Sequence, residues 1–184
     1  ASVPLTFLVA FDMLVLQGHL KAGEWLLING ASSGVGVASL QLAKALGASI
    51  RRMAYTEAGW QRMQRRAEAA DSPWLAHVPA AFSIFQWHGD TFALPDGAQP
   101  LLSSQWCDNQ AFAWGDKVLA LQGHPEMTKE LIELWLDDWA HLLDASQPSQ
   151  QSIDEIREGL SEKVRLLNQV AEGFYAHWLK LAGL

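Results

Sequence analysis

Cysteine is almost absent from this sequence: Cys107 is the single one in 184 residues. That excludes a disulfide framework and a cysteine-ligated zinc site, and it fits a reducing compartment, read here as cytoplasmic. Long apolar runs are absent too. The longest, Leu5 to Leu16, is interrupted by Asp12 and falls short of the ~20 residues a membrane-spanning helix requires. It has neither a basic flank nor a small-residue cleavage pattern, so no signal peptide is expected. Positive charge is scarce. Thirteen Lys and Arg face twenty Asp and Glu, a net charge of -7, which argues against nucleic acid or an anionic membrane as a partner. Charged residues make up only 18% of the chain and hydrophobic ones 49%, which excludes a disordered polymer.

What is present is enough for one domain with a proper core, taken as residues 1–184. Residues 1–50 balance Lys21 and Lys44 against Asp12 and Glu24, so the whole acidic excess lies in 51–184. Arg51, Arg52, Arg62, Arg65 and Arg66 form a local basic exception, read either as a solvated face or as an anion site. Nine tryptophans are many for this length and belong in a core or a pocket wall.

The pattern along the chain alternates. Residues 4–17 read as a helix with Pro4 in its first turn. Trp25–Ile28 is a short apolar run of the kind found in a strand buried on both faces. Asn29 to Gly36 is rich in Gly and Ser, and Val35 to Leu46 then reads as a helix stopped by Gly47. Further strands are expected over Glu57–Arg62, Phe82–Trp87 and Leu101–Ser104, and a helix entry is expected at Asp71–Trp74. A two-residue turn at Gly115-Asp116 is expected between strands 109–114 and 117–122. Leu131, Trp135, Trp139 and Leu142 recur at helical spacing. Ser146–Ser152 is a polar linker, and Ser152-Ile-Asp-Glu155 has the form of a capping box. Val164, Leu167, Val170, Phe174, Trp178 and Leu181 make one apolar stripe, expected to pack on the sheet.

Two stretches carry chemistry. Gly30-Ala31-Ser32-Ser33-Gly34-Val35-Gly36 lies between the first strand and its helix. Amides at a helix start favour a phosphate, and glycines allow it close approach; the same loop also serves as a plain structural turn. Its spacing departs from G-x-G-x-x-G. Gly30 to Gly34 also reads G-x-S-x-G, which would make Ser32 a nucleophile if a base stood beside it. At the other end, His124-Pro125-Glu126 follows an apolar strand and precedes a helix. A carboxylate two residues from a histidine orients it as a general base; the alternative is a histidine that simply hydrogen-bonds at a strand end. His88 and Asp90 are conceivable metal ligands together with His124 and Glu126, but their spacing is not a fixed metal pattern.

The first stretch carries a resemblance. Val3-Pro-Leu-Thr-Phe, Leu20-Lys-Ala-Gly-Glu24, Leu27-Ile-Asn-Gly-Ala-Ser-Ser-Gly-Val-Gly36 and Gln41-Leu-Ala-Lys-Ala-Leu-Gly47 are similar to the quinone-oxidoreductase branch of the medium-chain dehydrogenases/reductases. In that family the loop holds the pyrophosphate of NADPH, which implies cofactor contacts from Gly30 to Gly36. Arg51 and Arg52 fall where a residue selecting the ribose 2′-phosphate is expected.

The remainder resembles another family. Tyr55-Thr-Glu-Ala-Gly-Trp60, Phe85-Gln-Trp-His-Gly-Asp-Thr-Phe92, Leu94-Pro-Asp-Gly-Ala98, Cys107-Asp-Asn-Gln-Ala-Phe112 and Leu121-Gln-Gly-His-Pro-Glu126 resemble class I glutamine amidotransferase domains. There the last motif supplies the His and Glu of a Cys-His-Glu triad, implying catalytic roles for His124 and Glu126. The nucleophile does not carry over: counting along the family pattern lands on Gly36 or Val37. Cys107 lies outside that elbow and reads as a packed thiol.

The two resemblances divide the chain into 1–48 and 49–184 and imply a chimera, built deliberately or arisen as a natural fusion. The expected fold is a three-layer α/β/α sandwich of Rossmann or flavodoxin type, with a mostly parallel sheet and a helical C-terminal segment. The expected function is an amidotransferase-like domain inactive on glutamine; the alternative is a residual NADPH-binding module. Partners reduce to a small molecule, glutamine or NADPH, and to a second copy pairing through an exposed sheet edge.

Overall fold

The computed structural model describes residues 10–17, 50–94, 96–115 and 118–182. Of the helix expected over 4–17, residues 10–17 are described, and they are helical with a wide π turn over Asp12–Gln17. The strand expected at 25–28, the Gly30–Gly36 loop and the helix expected over 35–46 lie outside the described residues.

Five strands follow: β1 (Ile50–Arg65), β2 (Phe82–Phe92), β3 (Gln99–Ser103), β4 (Ala111–Trp114) and β5 (Val118–Leu121). Their order is β2-β1-β3-β4-β5, and every ladder between them is antiparallel. The mostly parallel sheet expected from sequence is therefore not what the described residues form. The reason is local. A short connection such as the three residues between Trp114 and Val118 can join only antiparallel neighbours. Asp116 and Lys117 of the expected turn lie outside the described residues, and Gly115 holds φ +56.

β1 is long because two ladders share it. Ile50 to Met63 face β2, and Gln64 and Arg65 face β3. The β1–β2 register slips between Arg52 and Glu57, as at a β-bulge. Gly59 sits at φ +95, and a Cβ there would lie 2.5 Å from Gln151 Oε1. That oxygen instead accepts the Trp60 amide at 2.7 Å, which fastens the polar linker alongside β1. Arg65 fastens a second connection: its guanidinium donates to the carbonyls of Leu75 and Val78. The expected helix entry at Asp71–Trp74 is accordingly only a 3-10 turn, Pro73–Leu75.

Past the end of β5 the chain turns back on β2, where the His124 amide donates to the Phe85 carbonyl at 2.8 Å. The segment that follows β5 thus meets β2 at one rung.

Three helices complete the described fold: α1 (Lys129–Trp139), α2 (Ile153–Arg157) and α3 (Leu160–Ala182). Thr128 caps α1 by accepting the Leu131 amide. The expected capping box is present in full, with the Ser152 hydroxyl accepting the Glu155 amide and the Glu155 carboxylate accepting the Ser152 amide. On α3, Val164, Leu167, Val170 and Phe174 are buried in one cluster with Trp60, Phe85, Trp87 and Ile156. Full burial of each such side chain contributes about 1.5–3 kcal/mol. In the same stripe Trp178 is 47% exposed, and Leu181 is partly buried against the same cluster. Among the described residues no helix is long and apolar enough to cross a membrane.

Candidate active site

β2 sorts its side chains by alternation. Phe85 and Trp87 enter an aromatic cluster with Trp60, Trp135 and Trp139. Gln86 and His88 serve other neighbours. Gln86 packs beside Gly123, where an added Cβ would fall 2.3 Å from Gln86 Nε2 and 2.6 Å from Ile84 Cγ2. Only glycine fits there, and the chain passes directly on to His124.

His124 is 5% exposed. Its Nδ1 lies 2.8 Å from Glu126 Oε1. Burial raises the affinity of the Glu126 carboxyl for its proton, but the hydrogen bond and the charge of His124 outweigh burial, and the net shift is downward. An ionised carboxylate only accepts, so Nδ1 carries the proton of this bond. Nε2 is then the ring nitrogen left to take one from a reactant, the arrangement a general base needs. On its far side His124 meets Trp135 nearly edge to face, with ring centroids 5.0 Å apart at 81°. The dyad predicted from the sequence is therefore assembled.

A second constellation was not foreseen. Glu57 is fully buried on β1. One oxygen accepts from Ser104 Oγ at 2.6 Å, and the other accepts from Gln110 Nε2 at 2.5 Å and lies 3.0 Å from His88 Nε2. Ser104 Oγ also accepts the amides of Trp106 and Cys107. Gln122, two residues before His124, contacts His88 Nδ1 at 3.1 Å and donates to the Asp90 carbonyl at 2.9 Å. The signal was a carboxylate inside an otherwise apolar strand, which must find partners when buried.

His88 thus pairs with Glu57 and does not join His124. Among the described residues no group of three or more His, Cys, Asp or Glu could hold a metal ion. Cys107 is buried, its thiol 3.4 Å from Thr91 Oγ1, and burial chiefly pushes its pKa up. The predicted cofactor contacts Gly30, Ala31, Ser32, Ser33, Gly34, Val35 and Gly36 lie outside the described residues, as does the side chain of Arg51. Arg52 is exposed and pairs with Asp90 at 3.8 Å, Arg66 pairs with Glu68 at 3.6 Å, and Arg62 is exposed. With Arg65 turned to backbone carbonyls, these guanidiniums do not converge.

No family model matches the chain. It is 29% identical over 143 residues to the glutamine amidotransferase-like protein YfeJ of Salmonella typhimurium, covering 67% of this chain and 60% of that one. A solved glutamine amido transferase from Methylobacillus flagellatus superposes with a TM-score of 0.68 at 32% identity, over 76% of this chain and 58% of that one. The fold is glutamine amidotransferase-like. A further match, to a quinone oxidoreductase of Pongo abelii, is 41% identical but spans only 59 residues, 32% of this chain and 18% of that one. The amidotransferase-like chain therefore spans about three fifths of the length of the amidotransferase relatives it matches. Its described residues hold a His-Glu dyad where the segment after β5 meets β2, backed by a tryptophan. The one thiol of this amidotransferase-like chain bonds to Thr91 and its own neighbours, and none of its contacts is to His124.

Proposed function

We propose that this chain is an amidotransferase-like domain that keeps the base half of a glutamine-hydrolysing triad and does not itself hydrolyse glutamine. The observation that carries the reading is the pairing of an assembled His124–Glu126 dyad with a lone cysteine engaged elsewhere. A base can raise the nucleophilicity of a thiol only by taking its proton at hydrogen-bond distance. Counting along the family pattern, the nucleophile's place falls on Gly36 or Val37, neither of which bears a thiol. Incubation with glutamine followed by ammonia detection tests this. No release above a His124→Ala control is expected; sustained turnover would sink the reading.

The 41% match to a quinone oxidoreductase favours a second reading, in which residues 1–48 derive from that family, the chain joins two α/β parents, and the Gly30–Gly36 loop binds NADPH. Nine tryptophans make the titration convenient. Saturable quenching with NADPH supports this reading, and a flat titration to millimolar cofactor rejects it. Pairing of two copies through a sheet edge belongs to the same set of proposals and is read by the mass in solution.

A further inference from the structure

We propose that Trp135 is a positioning residue for the dyad: it fixes the His124 ring in the orientation that keeps Nδ1 on Glu126 and turns Nε2 outward. The value of that orientation rests on the reading of His124 as a general base. The orientation itself is testable in the chain as it stands, without any glutamine chemistry.

A histidine side chain has two torsions. The short His124–Glu126 hydrogen bond does not by itself fix both, because half of the Glu126 side chain is exposed and water competes for the carboxylate. The ring needs a wall. Its backbone is tied to Phe85, and its preceding residue is pressed on Gln86, so rotation about the side chain is the remaining freedom. Trp135 stands against the ring at 5.0 Å and 81°, in direct contact nearly edge to face, a geometry that free rotation of the imidazole would forfeit. The wall is itself rigid. Trp135 has Trp139 at 5.0 Å, Trp87 at 6.0 Å and Phe85 at 6.3 Å around it. It also sits on the helix that Thr128 caps two residues after Glu126, so one short segment delivers base, carboxylate and wall. Such a shell fixes geometry in a way that a lone hydrogen bond at a surface does not.

The test uses ¹⁵N-histidine-labelled protein. His124 is assigned by its loss in a His124→Asn variant, and its Nδ1–H signal is followed with pH. The parent is expected to show one tautomer, protonated at Nδ1, with a slowly exchanging proton. Trp135→Leu should lose that protected signal and show averaged nitrogen shifts. Trp135→Met, which refills the volume without a ring, should lose it too, and it serves if the leucine variant does not fold. Trp135→Phe should retain it. Leu136→Ala destabilises the same helix from a position about 100° around its axis and should leave the signal in place. Retention of the protected Nδ1–H in the leucine or methionine variant overturns the proposal, as does its loss in Leu136→Ala. Glutamine turnover, should it occur, would overturn the inactive reading and leave this result standing.

Discussion

Glu57 offers a sharp test of the energetics. Its carboxylate is fully buried and is held by Ser104 at 2.6 Å, Gln110 at 2.5 Å and His88 at 3.0 Å. Glu57→Ala removes the acceptor from two buried donors at once, Ser104 Oγ and Gln110 Nε2, and leaves His88, whose side chain is 7% exposed, without the carboxylate beside it. A buried donor left unsatisfied costs about 1–3 kcal/mol, so the two together come to about 2–6 kcal/mol. Whole-domain stabilities are about 5–15 kcal/mol, so a substantial share is at stake. With a urea slope of about 2 kcal/mol/M, a 4 kcal/mol loss lowers the unfolding midpoint by about 2 M. Glu57→Gln keeps the shape but offers one acceptor instead of two and turns an NH2 toward donors, so about 1.5–3 kcal/mol is expected. Glu57→Leu with His88→Leu should recover little of the loss, because Ser104 and Gln110 still lack their acceptor. Tryptophan fluorescence in urea measures all three. A Glu57→Ala loss no larger than the ~0.5 kcal/mol of an ordinary surface substitution would refute the assignment of this network as a stabilising core.

Other outcomes can be checked alongside. Gln86 is fully buried and neither atom of its amide has a partner among the described residues, so Gln86→Met should be neutral or stabilising by thermal melting; a loss above about 1 kcal/mol would mean the amide is satisfied. Cys107, buried with a raised pKa, should resist a disulfide exchange reagent in the native protein and give one thiol per chain in denaturant. The Glu126 carboxyl is held below its ordinary value, so its contribution to stability is complete above the usual carboxylate pKa and is lost as pH falls through the lowered one. The melting difference between the parent and Glu126→Gln should accordingly shrink in acid, and a difference that grows on acidification contradicts the sign.

How far the sequence revealed this molecule depends on the range of the interaction. The capping box at Ser152 and Glu155, the α3 stripe as far as Phe174, and the His124–Glu126 pair are set by neighbours a few residues apart, and all were legible. The antiparallel order of the described strands was not, because an apolar run such as Phe82–Trp87 fits either direction of pairing. Periodicity also places Trp178 in the core stripe, where it is 47% exposed although Leu181 beyond it packs against the core. His88 was weighed beside Asp90 because the two are close in sequence. Its true partner, Glu57, lies 31 residues upstream and meets it only through the β1–β2 register. Similarly, nothing in the residue pattern separated Trp135 from the other tryptophans until the strand ends brought His124 against it.

The single rung between Phe85 and His124 makes the strands a circuit, and a circuit must close. The position of the base is then the accumulated result of four ladders rather than of its own neighbourhood. A slip of one residue in any of them displaces everything downstream by about 3.3 Å and turns each side chain to the opposite face. Lengthening or shortening β3, which contacts neither His124 nor Glu126, would therefore misplace the dyad as surely as cutting into β5. Insertions between Leu94 and Ala98 lie outside every rung and leave that closure untouched.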